Sequence, residues 1–585
     1  MGVSVRAVPT ALVLASSVVA GEATTEVRTK IAESVDVHEA IRVLVRAGDE
    51  VPEHGTVVSI GRVAVNDAGS WIVEVRTDNP DPTRDQVILH NGVVAWYEGQ
   101  PLPMLDGTPR IRHFEAFAIN AAGDTCWDLS LEGTPGGELD DSVLFFNSTL
   151  VLQEGWTMGS QGAPLPTAYQ DLLTAKLNGR GDALLLSDVL RPAGPQRVLM
   201  HLELGDTGGL ALETPVAMTG DTPPALLGDT LLDIYPAPHS ISFNERGDAA
   251  YVARATQTAG GAYAILCNDR LIAREGDPCA AEPERDWERL IGTTIALSDT
   301  GSILYRGDLS GDSTDDDVLV LDDRILAREG DLVETSIGTF PIRGFAYTTP
   351  LGLGSRGDAL FFAFLNKPFQ KHVVAILDGR IILQEGVTPA GETWIESIIE
   401  PPHLEFADLS PNASKLLIEC RLAYVGEAAV LVDFARLPER FCNDAEIASC
   451  PCYNAGHELA GCDNSGATGG VRLRLVDQET TPRNRATLVA DGLSQEASAT
   501  VLLRGESRYE MGRVFGDGLL CLEAPVVRLS TSNVAGGLSS HTVGHGPAAG
   551  AGKFHYQLWY PDGKPGYCDP TSRDNLSSGR TLRWE

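Results

Sequence analysis

The chain has 585 residues, 43% of them apolar, and carries a formal charge of −35. That length exceeds a single ordinary core, so two domains, or one large repeat array with a smaller companion, are expected. So acidic a surface repels nucleic acid and anionic lipid, and past the amino terminus no stretch is apolar over the ~18 residues of a membrane span, so neither a nucleic-acid partner nor a membrane span is expected.

The opening residues, "MGVSVRAVPTALVLASSVVAGEA", set Arg6 ahead of an apolar run and small residues around Ala20. That order is the pattern of a secretory signal peptide over residues 1–20, and it predicts export.

From residue 41 two turn signatures alternate. The first ends at Gly48, Gly99, Gly155, Gly220, Gly276, Gly330 and Gly386, with separations of 51, 56, 65, 56, 54 and 56 residues. The second, in stretches such as "VNDAGSW", "LNGRGDA" and "LSDTGSI", places Gly69, Gly123, Gly181, Gly247, Gly301 and Gly357, with Ala413 as a degenerate seventh. A period near 56 kept seven times is a repeat architecture. β-rich apolar runs flank each signature, and Asn-Gly, Asp-Asp and Asp-Gly centres suit hairpins because those residues tolerate positive φ.

Two hairpins per repeat give four strands, the content of a propeller blade. Residues 41–49, "IRVLVRAGD", read as an outermost strand lacking its neighbour, and 427–432, "EAAVLV", as the missing neighbour. The expected fold is therefore all-β: a seven-bladed β-propeller over residues 41–436, closed by its N-terminal strand. An open solenoid is the alternative.

Repetition argues that most of the tempting chemistry is scaffold. Glu98, Glu154, Glu275, Glu329 and Glu385 recur before the first-signature glycine, where carboxylates bond turn amides or a neighbouring Arg. "RGD" at Arg180, Arg246 and Arg356 falls in the second turn, and only the copy at Arg306 lies elsewhere, so turn chemistry explains it better than adhesion. Function is then expected where repeats break pattern. His113, His239 and His403 stand at the entries of three innermost strands, and three imidazoles about one axis would hold a transition metal and activate water. The loop "GDLSGDSTDDD" offers Asp308, Asp312, Asp315, Asp316 and Asp317 to calcium, though without the order of a calcium hand. No G-x-S-x-G, H-E-x-x-H or phosphate-loop motif occurs.

The tail from Glu439 holds 14 basic and 17 acidic residues, so −32 of the charge belongs to residues 1–438. Cys442, Cys450, Cys452, Cys462, Cys521 and Cys568 cluster there, and in an exported chain they read as three disulfides, although six cysteines allow fifteen connectivities. Zinc is the rival use, with His457 beside the Cys-Pro-Cys stretch, but that spacing is not the usual knuckle. Alternating stretches and Gly-rich turns predict a smaller antiparallel β-sandwich over residues 439–585, with Cys521 paired to Cys568. Tyr556, Trp559 and Tyr560 on one strand form the candidate glycan-contact patch, with core packing as the ordinary use of such rings.

The array resembles secreted bacterial proteins whose repeats carry an "LN-x-x-G-D-x-A-F" hairpin followed by a "D-G-x-x-x-x-x-x-E-G" hairpin; residues 178–185 and 378–386 match best. The tail resembles a C-terminal domain of similar proteins, through "FCNDAEIASCPCYNAGHELAGCDNSG", "FGDGLLC", "YQLWYPD" and "NLSSGRTLRW". The resemblance implies a secreted, extracellular or cell-surface-associated bacterial β-protein and supplies no catalytic residues. The expected function is a monomeric, non-catalytic binding or scaffold protein for an extracellular ligand, a glycan or surface component, with no cofactor beyond a possible calcium or transition-metal ion. The alternative is a metal-dependent hydrolase or lyase using the three histidines.

Overall fold

The computed structural model describes residues 30–34, 40–155, 168–191, 194–205, 208–256, 261–290, 294–335, 337–345, 351–354, 357–366, 372–390, 393–398, 406–434, 439–442, 450–451, 454, 456, 460–479, 485–544, 552–562 and 574–584. Among these residues the protein is all-β; the helical pieces are three-residue 3-10 turns at Gly137–Leu139, Pro224–Leu226 and Pro238–Ser240.

Seven antiparallel sheets follow one another along the first 433 residues. The first contains Gly55–Val65, Trp71–Thr77, Gln86–His90 and Val93–Tyr97. The second runs from Arg110–Ile119 to Thr149–Gln153, and the third from Ala168–Leu177 to Leu210–Met218. The fourth ends at Arg270–Arg274, the fifth at Arg324–Arg328 and the sixth at Arg380–Gln384. The seventh joins both parts of the chain: Thr393–Ser397, Lys415–Leu422 and Gly426–Asp433 are completed by Ile41–Arg46, paired from Ile41 opposite Val432 to Arg46 opposite Ala428 with a register shift between Val43 and Val45. One strand was not expected. Lys30–Ser34 runs parallel to Leu332–Thr335 and, through Glu33 and Ser34, to Arg380 and Ile381, so it covers the start of the outer edge of the sixth sheet, where backbone groups would otherwise be exposed.

Both turn signatures have a single hydrogen-bond pattern. The amides of Gly48, Gly99, Gly155, Gly220, Gly276, Gly330 and Gly386 donate to the carbonyls of Val57, Ile111, Tyr169, Leu231, Trp287, Ile342 and Ile395 respectively, at 2.6–2.9 Å. In the second signature, Gly69, Gly123, Gly181, Gly247, Gly301, Gly357 and Ala413 each donate to the residue three positions back. All these turn residues have positive φ, and Ala413 at +50° keeps the conformation without being glycine. At the outer hairpins Asn91, Asn147, Asn268, Asp322 and Asp378 occupy the left-handed region, as their tolerance for it predicts.

The core is divided among neighbours. One apolar cluster joins the first and second sheets, another the second and third, and so on through the sixth and seventh. A seventh cluster joins Val45, Leu417, Ala429 and Leu431 of the last sheet to Val51, Val63, Val73 and Val87 of the first. Burying one such Leu or Phe stabilises by about 1.5–3 kcal/mol, so each sheet is held mainly through its two flanking clusters.

In the tail, Glu439–Phe441, Asp574–Trp584, Gly552–Pro561, Ala499–Gly505 and Val527–Asn533 make one sheet, and Arg472–Glu479, Arg485–Asp491 and Ser539–Gly544 another. The two share one core, in which Leu473, Leu488 and Val543 meet Leu502, Tyr556, Leu558 and Tyr560. Two disulfides are formed, Cys442–Cys521 and Cys450–Cys462. The expected Cys521–Cys568 bond is corrected: Cys521 takes Cys442, 79 residues earlier. The reason is topological. Glu439–Phe441 pairs with Asp574–Trp584 at the sheet edge, and the hairpin carrying Cys521 packs there, so both cysteines sit in one buried cluster with Phe441 and Leu519. Cys452 and Cys568 lie outside the described residues.

Candidate binding site

The residue preceding each second-signature turn points to a common space. Val65, Ile119, Leu177, Phe243, Leu297, Leu353 and Leu409, one from each sheet, line a single cavity of about 260 Å³. Its polar lining includes Lys176, His239, Ser242, Glu245, Asp299 and Asp408. An apolar wall with a few convergent polar groups is the make-up of a small-molecule site, and the volume falls just below the usual range of roughly 300–1,000 Å³.

The turns form the rim of this cavity and are tied to one another. The side-chain amides of Asn66, Asn120, Asn178 and Asn244 donate to the carbonyls of Asn120, Asn178, Asn244 and Ser298 in turn, at 2.9–3.3 Å. Carboxylates one residue further on bind the neighbouring turn: Glu245 accepts the Gly179 amide at 2.7 Å, and Asp299 accepts the Glu245 amide at 2.9 Å. Asp67 of the first sheet accepts from the Asn412 amide and side chain and from Ser414 of the seventh, at 2.8–3.2 Å. Asp408 likewise accepts the Val65 amide at 2.7 Å. Burial raises the Glu245 carboxyl above the ordinary carboxylate range; the bond from Gly179 and the Arg180 charge oppose this, while Asp299 and Asp67 add to it. The Glu245 carboxyl therefore feels the charges of Asp299 and Asp67 on other turns of the rim. The sequence carries a signal for these three carboxylates, an acidic residue at the same place in "VNDAG", "FNERG" and "LSDTG".

Of the two candidate histidines among the described residues, His239 is found on the cavity wall, in the turn Pro238–Ser240, and His113 is not. His113 is exposed and sits opposite Ser130 on the strand Arg110–Ile119, whose far end reaches the cavity. Six residues of strand separate it from Ile119, about 20 Å of travel. The strand meets the cavity at the end opposite His113, through Phe117, Ala118 and Ile119. His403 lies outside the described residues. Among the described residues no group of three His, Cys, Asp or Glu side chains is arranged to hold a metal.

Two carboxylates of the acidic loop are committed to arginines. Asp317 is bidentate to the buried Arg306 at 2.7 and 2.8 Å and accepts the Phe345 amide at 2.9 Å. Asp315 binds Arg285 at 3.0 Å and Arg328 at 3.3 Å, and Asp312 caps Thr314 at 3.0 Å. Asp308 lies on the strand Ile303–Leu309 opposite Asp317, and Asp316 supplies its carbonyl to the Leu309 amide. In the tail, Tyr556 and Tyr560 are buried core residues and Trp559, on the other face of the strand, is half-buried, so no flat aromatic patch is presented.

The recurring glutamates act as scaffold. Glu275 accepts the amides of Tyr263 and Leu290, and Glu385 those of Val373 and Ile398, so each spans two sheets. Burial pushes Glu98 up to about 7 and Glu154 up to about 8, with Asp85 and Asp141 respectively adding to the effect. The "RGD" turns are closed by Asn178 and Asn244, whose side chains accept the amides of Asp182 and Asp248.

No family model matches the chain, and no curated protein does. Among solved structures, a tetra-tandem repeat from the extending region of a large adhesion protein is 10% identical, over 93% of this chain and 98% of that one, with a TM-score of 0.12. A mutant of a Salmonella alpha-2-macroglobulin is 8% identical, over 95% of this chain and 39% of that one, with a TM-score of 0.16. At those scores the chain traces do not superpose, and neither neighbour bears on fold or function.

Proposed function

We infer that residues 41–436 form a closed seven-bladed propeller and residues 439–585 a β-sandwich, and that the protein is a secreted, non-catalytic binding protein of the extracellular space or cell surface whose ligand enters the axial cavity. One observation carries this reading: all seven sheets contribute the same turn-preceding residue to one cavity. The apolar cluster and rim hydrogen bonds between the seventh and first sheets support closure. Two disulfides suit an oxidising compartment, and no described helix is long and apolar enough to cross a membrane. The cavity's mixture of aliphatic walls and carboxylates suits a small ligand with an apolar body and a hydrogen-bonding or cationic end. The metal-hydrolase alternative has no second imidazole beside His239 among the described residues to support it.

The test is a small-molecule thermal-shift screen on the wild type and on Ala118→Trp, a substitution that fills the cavity from its wall. Ligands that raise the wild-type melting temperature and leave the variant unmoved support the reading. Ligands that raise both equally place binding elsewhere.

A further inference from the structure

The seven sheets are alike enough that residues can be compared at one structural position. The amides of the seven first-signature glycines fix the register at Val57, Ile111, Tyr169, Leu231, Trp287, Ile342 and Ile395, all buried. The residue just before each is Thr56, Arg110, Ala168, Thr230, Asp286, Pro341 and Trp394. Only the seventh sheet puts an aromatic there, and it is 40% exposed.

That tryptophan has company. The hairpin after Lys415–Leu422 carries Tyr424, 95% exposed, whose ring stands edge-to-face on Trp394 with centroids 5.6 Å apart and planes at 85°. The corner is anchored from behind, since the Ala423 amide donates to the Trp394 carbonyl at 3.0 Å and the Thr393 hydroxyl donates to the Ala423 carbonyl at 2.7 Å. Glu396 follows Trp394 on the same exposed side of its strand, alternating with the buried Ile395. It pairs at 3.5 Å with Arg421, which is exposed on the adjacent strand and nearly half accessible, as Glu396 is.

Tyr424 is also held at φ +64°, a conformation that an aromatic residue rarely adopts and that glycine takes without cost. Nothing is gained for the core by this, because the ring is almost wholly in water. The tight hairpin presents the ring and does not bury it.

We propose that Trp394, Tyr424, Glu396 and Arg421 form a binding site for a neutral pyranose-bearing glycan. The two perpendicular rings make a floor and a wall onto which the apolar face of a sugar packs, and such rings contribute large contact area with little side-chain entropy to lose. The adjacent Glu and Arg supply an acceptor and a planar fork of donors, the pairing that neighbouring ring hydroxyls require. The charge of −32 on residues 1–438 disfavours polyanionic sugars, which is why the class is neutral. A folded protein partner needs a contact of roughly 1,200 Å² or more, far beyond two side chains. This site is separate from the axial cavity and stands or falls independently of it.

The experiment uses the purified full-length chain titrated with cellohexaose, mannohexaose, xylohexaose and laminarihexaose, followed by calorimetry and tryptophan fluorescence. At least one probe should bind, and Trp394→Ala should weaken it tenfold or more, about 1.4 kcal/mol. Tyr424→Gly should weaken binding severalfold while leaving the melting temperature unchanged or raised, since it relieves the backbone. Ala118→Trp should leave glycan binding unchanged. Absence of binding by all four probes at millimolar concentration overturns the proposal, and so does binding that survives Trp394→Ala. Binding lost in Ala118→Trp but kept in Trp394→Ala would assign the sugar to the cavity instead.

Discussion

The carboxylate of Glu427 accepts a hydrogen bond from the backbone amide of Ile60 at 2.9 Å, across 367 residues of chain. Ile60 lies three residues past Val57, as Leu290 lies past Trp287, Phe345 past Ile342 and Ile398 past Ile395. Those three amides are held by Glu275, Asp317 and Glu385 of the preceding sheet. The junction between the seventh and first sheets is thus built like those between the fourth and fifth, fifth and sixth, and sixth and seventh. Charge-assisted bonds to backbone amides are among the stronger single contacts, and here they lock neighbouring sheets in register.

From this, Glu427→Ala should destabilise the protein by about 1–3 kcal/mol, the cost of leaving a partly buried amide without its partner, whereas Glu427→Gln, which still accepts, should lose less. A chain lacking residues 1–47 should fare worse, because it exposes the edge of Gly426–Asp433 and opens the shared apolar cluster. Size-exclusion chromatography and urea titration check both. A truncated chain that stayed monomeric with an unchanged midpoint would show that Ile41–Arg46 contributes nothing to closure.

Reduction is expected to act on the tail first. In the chain-entropy view a bond closing a 79-residue loop stabilises by about 4–5 kcal/mol, and one closing 12 residues by about 3. Cys521→Ser should therefore unfold residues 439–585 at a lower temperature while the seven sheets, whose cysteines Cys126, Cys267, Cys279 and Cys420 are buried and free, keep theirs. Two calorimetric transitions, of which one moves, are the expected signature. Non-reducing peptide maps should link the Cys442 and Cys521 peptides.

The seven-fold pattern was readable from sequence because its punctuation is conformational. Gly69 and Gly386 stand where φ must be positive, and Asn91 or Asp378 where the side chain tolerates it, so the same residue types recur at the same intervals. The complementarity of residues 41–46 and 427–432 was readable for a like reason, each being half of a repeat. Spacing says nothing about which end of a strand lines the cavity, and so it does not report that the strand of His113 reaches the cavity at Ile119. Nor does it report which edge strand brings Cys442 to Cys521. Tyr556 and Tyr560 alternate with Trp559 in a way that fits either a core or a platform, and only the opposing sheet decides it. Trp394 was within reach, since setting the seven repeats in register makes it the odd residue out.

The acidic loop should prove structural at one residue and dispensable at another. Asp317 holds the buried guanidinium of Arg306, so Asp317→Ala strands a charge and should cost about 3–5 kcal/mol. Asp312 is exposed and caps only Thr314, so Asp312→Ala should stay within about 0.5–1 kcal/mol of the wild type. Denaturant midpoints separate the two, and equal losses would mean that the loop acts as one cation-binding unit after all.

Stability should fall between mildly acidic and mildly basic pH. Burial, followed by the nearby carboxylates of Glu427 and Glu74, pushes the Glu419 carboxyl up to about 8, from an ordinary value of 4.5. Between these two values the folded chain keeps a proton that the unfolded chain has released. The folded state binds more protons there, so stability decreases as pH rises through the window and levels off above it, with a slope of at most about 1.4 kcal/mol per pH unit for this group. Asp128 acts in the same sense: it is buried, neither oxygen has a hydrogen-bond partner among the described residues, and burial raises its carboxyl well above the usual range. Glu419→Gln should match the wild type near pH 5 and exceed it near pH 8, because the amide cannot ionise. Urea midpoints at the two pH values measure this directly, and a variant that loses as much stability as the wild type on going to pH 8 would remove Glu419 from the account.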